Sequence, residues 1–222
     1  MAVTDDDRLL ALLPGDESRT HGERLPGEIA RALELANVSR DRIDLLAVAT
    51  GPGAFTGLRI GLAAMQGLAM TLATPVIGVS ALDALAEQAR EDAAEIIVPW
   101  MDAQRGDVFA TLIDGDSGTT IEPASAASPA ALLEAWATLL AGRRAIFIGD
   151  AVVRDRALIE AVGSTVQLRI PEPLAPQIAM LGRRGAARGD AGSPHKLEPI
   201  YVRRPDAEIE RERSGRRGRD GA

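Results

Sequence analysis

The chain has 222 residues, no cysteine and a formal net charge of −7. Without thiols it has no disulfide, no thiolate nucleophile and no cysteine-ligated zinc. Its acidic balance makes a poor whole-surface binder of nucleic acid, because phosphate contacts dominate that affinity.

No stretch reaches the roughly 18 uninterrupted apolar residues of a membrane span. The opening Met1 to Leu10 lacks the basic-then-apolar pattern of a signal peptide. The expectation is a cytoplasmic protein with no membrane partner. In chain order, Ala2 to Thr4 and Leu9 to Leu13 read as two short strands around the acidic turn Asp5-Asp6-Asp7. From His21 or Pro26 to Ala36, Leu25, Ile29, Leu33 and Ala36 share one helical face, and Asn37 ends the helix. Ile43 to Ala49 is a continuous apolar run, the pattern of a strand buried on both faces. Thr50 to Gly57 is a loop, Thr56 to Thr74 a helix stopped by Pro75, and Val76 to Val79 a strand. Ser80 caps a helix over Ala81 to Glu91.

The strand–helix alternation predicts an α/β fold with a largely parallel sheet. It restarts near Glu95: strands at Ile96 to Met101 and Val108 to Ile113, a helix at Pro129 to Leu140, a strand at Ala145 to Ile148, a helix at Val152 to Ala161, and a strand at Val166 to Leu168. A last helix runs from about Ala175 to Ala187. The predicted organisation is an N-terminal lobe (1–95), a C-terminal lobe (96–204) whose last helix returns to the first lobe, and a charged tail (205–222). That tail buries too little to offset its ordering entropy and reads as disordered.

Between a buried strand and a long helix lies Gly51-Pro52-Gly53-Ala54-Phe55-Thr56-Gly57-Leu58-Arg59-Ile60-Gly61. Glycines here admit positive φ and close backbone approach, and Thr56 is placed to cap the helix. A glycine loop before a helix N-terminus is suited to an anion. A P-loop needs Lys and then Ser or Thr after the last glycine, where this chain has Leu58 and Arg59. A dinucleotide fingerprint needs a glycine at position 56, where Thr56 stands. The third reading is packing. Gly57, Gly61, Ala64 and Leu68 form a flat small-residue face, and Leu58, Leu62, Met65, Ala69 and Leu72 form a bulkier stripe. A helix apolar on two sides is covered on two sides. One cover is its own sheet; the other is a partner's helix or the chain's own first helix, and physics alone leaves these equal.

The run GPGAFTGLRIGLAAMQGLA resembles the signature of the TsaB (YeaZ) family. Supporting matches are His21 with Leu25-Pro26, the segment Pro75 to Leu82, the segment Met101 to Phe109, and the closing Glu198-Pro199-Ile200-Tyr201-Val202-Arg203. The resemblance spans about Ala2 to Arg203. It implies an actin-like fold of two ribonuclease-H-type lobes and a non-catalytic role in making threonylcarbamoyladenosine in tRNA. The partners it implies are a TsaD-type catalytic subunit and a TsaE-type ATPase, with tRNA contacted only indirectly. By the same resemblance the interface residues are Leu25, Ile29, Leu33, Gly57, Gly61, Ala64 and Leu68. Family members open with an apolar strand ahead of the one starting here at Ala2. The resemblance therefore implies that the first strand of the N-lobe is missing from this sequence, with a start codon assigned too late favoured over true loss. It also implies lower stability and edge-to-edge association.

The remaining constellations are weak. His21 and His195 have no metal-ligand spacing, so neither a metal nor a cofactor is expected. Asp102 and Arg105 flank a turn where an actin-like fold places a phosphate loop. The plainer reading is an Asp-to-backbone turn with Arg105 exposed. The alternative function is a nucleotide-dependent enzyme of the actin-like kinase type, with a Rossmann oxidoreductase third. A homodimer of the isolated chain through the apolar helix face is also expected.

Overall fold

The computed structural model describes residues 1–15, 21–163 and 165–203. A hairpin, β1 (Ala2–Asp5) and β2 (Arg8–Leu12), turns through Asp6 and Asp7, with Asp6 at φ 49°. The turn carboxylates are largely exposed, and Arg183 pairs with Asp7 and lies 3.8 Å from Asp6. Helix α1 (His21–Ala36) keeps Pro26 in its second turn and ends at Asn37, whose φ of 53° is left-handed. Strand β3 (Leu46–Gly51) leads into α2 (Phe55–Leu72), which ends at left-handed Ala73, before Pro75. Strand β4 (Val76–Ser80) then lies parallel to β3. The Ser80 hydroxyl accepts from the Asp83 N–H and caps α3 (Ala81–Gln88), as expected.

The second half is built on one five-stranded sheet. Strands β5 (Ile96–Asp102), β6 (Val108–Asp114), β7 (Thr120–Ala127), β8 (Ala145–Ile148) and β9 (Val166–Arg169) take the order β7-β6-β5-β8-β9. The β5–β6 and β6–β7 pairs are antiparallel, and the β5–β8 and β8–β9 pairs are parallel. β7 has no counterpart in the sequence reading. The helix expected at Pro129 to Leu140 breaks at Trp136 into α4 (Pro129–Ala135) and α5 (Ala137–Leu140). Trp136 is buried, and its edge meets the Trp100 ring at 6.5 Å. Of the helix expected over Val152 to Ala161, only α6 (Arg156–Glu160) is regular. The last helix, α7, spans Ala175–Ala187 as predicted. The tail expectation lies outside the described residues.

Two apolar layers cover the large sheet. Ile96, Val98, Trp100, Val108, Leu112 and Phe147 face α4, α5 and α6. Ile97, Phe109, Ile113, Ile146 and Ile148 face Leu82, Leu85, Ala86 and Ala89 of α3. The helix that follows β4 thus covers the second sheet, and α7, which follows β9, packs back on β1, β3 and β4. Two glycines set that approach. A Cβ at Gly182 would stand 2.6 Å from the Ala47 Cβ, and one at Gly185 would stand 2.6 Å from Ile77 Cδ1.

In the first half the described strands form two separate pairs, β1-β2 and β3-β4. The run expected to be buried on both faces is only half-buried from Leu46 to Ala49. One edge of β3 pairs with β4 and the other with none of the described strands.

Gly182→Val places two methyl groups where none fits, so the protein should lose about 1–3 kcal/mol of unfolding free energy in urea titration. Ala187→Val, on an exposed position at the end of the same helix, should change it by less than about 1 kcal/mol.

Candidate functional site

The glycine turn is closed by the chain itself. Gly51 has φ +118°, and a Cβ there would lie 2.8 Å from the Ile200 carbonyl oxygen, so only glycine fits. The Ile200 N–H donates to the Thr50 carbonyl at 2.7 Å, and the Thr50 hydroxyl donates to the Val79 carbonyl at 3.1 Å. Gly51 and Pro52 are buried and Gly53 is half-buried. The space a phosphate would need beside Gly51 is held by a carbonyl oxygen, an acceptor that repels anions. Thr56 does not cap the helix. Helix α2 begins two residues earlier than that role requires, with Ala54 as its N-cap, and Thr56 lies exposed in the first turn.

Leu62 and Ala69 of α2 are buried against Val76 and Leu197, with Leu46 and Val48 beside them. Leu58, Met65 and Leu72 are half-buried, so the bulky stripe is the sheet-facing one. Gly57, Gly61, Ala64 and Leu68 are also half-buried, on a flank turned roughly 100° or more from Leu62 at 3.6 residues per turn. Among the described residues, none outside its own helix backbone comes within 4 Å of a Cβ built at Gly61. α1 packs on α2, β1 and β2, so part of this flank is covered from within the chain. Leu25 and Ile29 are half-buried, while Leu33 is 8% exposed and belongs to the interior.

On the other side of α2 from this flank lies a cluster the sequence did not reveal. The Phe55 and Tyr201 rings stack at 5.3 Å, and the Arg59 guanidinium sits 4.0 Å over the Phe55 ring. Arg59 Nε donates to the Tyr201 hydroxyl at 3.0 Å. Gln66 Nε2 donates to the carbonyls of Pro194 and Leu197 at 3.0 and 3.1 Å. Together these tie residues 194–201 along α2 and line an open groove of about 460 Å³. The spacing of Phe55 and Arg59 puts them on one helical face, but nothing local pairs either with Tyr201.

A second polar cluster sits at the end of β5. Asp102 Oδ1 accepts from the Gln104 N–H at 3.2 Å, the turn bond expected, and Arg105 is exposed. Arg154 adds Nη1 to Asp102 at 2.6 Å and grips Asp155 with Nε and Nη2, both at 2.8 Å. Buried Asp155 also accepts from Trp100 Nε1 at 2.9 Å. Arg203 pairs with Asp107 and donates to the Ala103 carbonyl. These carboxylates are held by cations of the same chain. Among the described residues no group of three or more His, Asp or Glu is arranged to hold a metal ion, and no helix is long and apolar enough to cross a membrane.

Burial pushes the Asp155 carboxyl up, but the Arg154 guanidinium and the Trp100 indole outweigh it and hold it below the ordinary carboxylate range. Its stabilising effect is therefore fully present above the unfolded value near 4 and is lost as pH falls through the lowered folded value. Urea unfolding between about pH 6 and pH 3 should show stability declining with acid. Asp155→Asn should start less stable and decline less steeply.

The family model described as "TsaD: tRNA N6-adenosine threonylcarbamoyltransferase" matches residues 11–137. An uncharacterized protein of Mycobacterium tuberculosis is 32% identical over 194 residues, covering 86% of this chain and 79% of that one. The tRNA threonylcarbamoyladenosine biosynthesis protein TsaB of Bacillus subtilis is 27% identical over 217 residues, covering 94% and 90%. TsaB of Escherichia coli is 38% identical over 92 residues, or 41% of this chain and 40% of that one. Among solved structures, a Pseudomonas aeruginosa protein described as similar to peptidase YEAZ superposes with a TM-score of 0.69 at 27% identity, covering 83% and 85%. YeaZ from the same organism gives a TM-score of 0.66 at 25% identity, covering 82% and 85%.

Proposed function

We propose that this chain, which belongs to the TsaB (YeaZ) family and has its actin-like α/β fold, is a non-catalytic subunit that supports a TsaD-type enzyme in making threonylcarbamoyladenosine in tRNA. The observation that carries the reading is the flank of α2 at Gly61, where a Cβ would meet no described atom outside its own helix within 4 Å. Half-buried Gly57, Ala64 and Leu68 on the same flank, with Leu25 and Ile29 of α1, give a helix pair that another helix can approach closely. Leu33 serves the interior and is not part of this surface.

The ion-paired state of Asp102, Asp107 and Asp155 supports an accessory role, since an acid or base fixed by an internal guanidinium is not poised for proton transfer. The net charge of −7 supports leaving tRNA contact to the partner. In this reading the lobe of residues 1–95 presents the partner face and 96–204 buttresses it. A TsaE-type ATPase joins the complex, and the isolated chain dimerises through the same flank.

The test is co-purification with a TsaD-type protein from the same organism, using the chain and its Gly61→Leu variant. A Cβ at Gly61 meets no described neighbour outside its own helix, and leucine is the better helix former by about 1 kcal/mol, so thermal stability should hold or rise. Recovery of the partner should fall at least about tenfold, the equivalent of 1.4 kcal/mol. Full recovery with Gly61→Leu would overturn the proposed face, and turnover of ATP by the isolated chain would overturn the accessory role.

A further inference from the structure

Helix α2 is held thinly by its own strands. Of its eighteen residues only Leu62 and Ala69 are buried, whereas α3, with eight, buries six. The apolar layer beneath α2 is small: Val76 of β4, Leu46 and Val48 of β3, and Leu197, which belongs to neither strand. α1 leans on one flank of the helix. The opposite flank is held by residues 192–203, a segment with almost no regular structure of its own.

That segment runs as a strap from one half of the chain to the other. Gly192 exchanges backbone bonds with Val76 of β4 at 3.1 and 3.2 Å. The single turn Pro194–Lys196 then packs on α2. Gln66 Nε2 donates to the Pro194 and Leu197 carbonyls, so both hydrogens of one amide are spent on the strap's main chain. Any slide or tilt of α2 breaks the two bonds together and leaves their acceptors unpaired. Farther on, the Ile200 N–H bonds Thr50, and Tyr201 stacks on Phe55 and accepts from Arg59. Val202 next packs in the apolar layer of the second sheet, and Arg203 is fastened to Asp107 and to the Ala103 carbonyl in the β5–β6 turn. At 3.6 residues per turn, Phe55, Arg59 and Gln66 lie roughly 120–160° round α2 from Gly61. The strap therefore grips the helix on the side away from its small-residue flank.

We propose that Gln66, Arg59 and Tyr201 are positioning residues for partner binding: through the strap they fix the tilt of α2, and so present the Gly61 flank, without touching the partner. The inference rests on the proposed partner face and adds what sets its geometry. A loosened α2 spends only a fraction of its time in the docking geometry, and apparent affinity falls by that fraction. The loss falls on association, because a docked partner holds the helix itself. Losing a direct contact shows mainly in dissociation. The anchor at Arg203 also gives the second half a part in recognition, since it refers the tilt of α2 to the five-stranded sheet rather than to β3 and β4 alone.

The test makes two measurements on the full chain and on Gln66→Met, which keeps side-chain length and helix propensity but cannot donate. Amide hydrogen exchange of the free chain reads the helix. Amides of α2 should exchange about tenfold faster in the variant, with those of the five-stranded sheet unchanged. Surface-plasmon kinetics with a TsaD-type protein from the same organism read docking. The association rate constant should fall about fivefold while dissociation holds within about twofold. Gly61→Leu, on the face itself, should raise dissociation instead. Should Gln66→Met melt early, Tyr201→Leu, at a position 41% exposed, repeats both measurements with the same expected result. Unchanged exchange in α2, unchanged association, or a loss of affinity carried by dissociation would overturn the proposal. A partner that fails to bind the unaltered chain would overturn the proposed face instead, and exchange in α2 would still decide whether the strap fixes the helix.

Discussion

The fold depends on an exchange of closing helices. α3 leaves the first pair of parallel strands and covers the second sheet, and α7 leaves the second sheet and covers the first. The pivot is Gln88, a buried amide at the end of α3. Its Nε2 donates to the Glu172 carbonyl at 3.0 Å and to Gln177 Oε1 at 3.1 Å, and its Oε1 accepts from the Glu172 N–H at 3.0 Å. Arg184 of α7 adds a 2.7 Å bond to Glu87. A buried amide with every bond made specifies one geometry, because each alternative leaves polar groups unpaired. The glycines of α7 set the separation on the strand side, where Ala47 and Ile77 leave no room for a Cβ.

Much of this was legible in the sequence where apolar pattern and turn chemistry agreed. The runs at Ile96 and Ala145 are strands because they are continuous, short and β-branched, and Ser80 and Asn37 bound their helices as cap chemistry requires. The failures have physical causes. β7 reads TIEPASAA, with a proline and several small residues, and its pairing to β6 carries register irregularities. No single-strand pattern announces it. The break at Trp136 comes from tertiary packing, since the indole is drawn against Trp100, and local helix propensity cannot report that. Leu46 to Ala49 were read as doubly buried from their composition, and the strand lacks the neighbour that would make them so.

The candidate site was legible only in part. The missing lysine and the misplaced glycine argued against a nucleotide loop, and the small-residue flank of α2 could be counted along the chain. Thr56 was assigned a cap by residue type, and the helix began two residues too early for it. The Arg154–Asp155–Trp100 lock and the Phe55–Arg59–Tyr201 stack join residues up to 142 positions apart, where no periodicity operates. Leu33 shows the converse limit. A face shared by a helix and its own interior cannot be divided between them from spacing alone.

The bond from Ile200 to Thr50 carries a consequence for synthesis. The turn that starts α2 is held by residues translated about 150 positions later, and Gln66 and Arg59 are fastened to the same late segment. A ribosome-bound chain that has emitted both N-terminal helices still lacks the clasp that fixes the tilt of α2. The face at Gly61 takes its final orientation only once Leu197 to Tyr201 have emerged. Chains cut short before Leu197 lack the contacts that Thr50, Arg59 and Gln66 make with that segment.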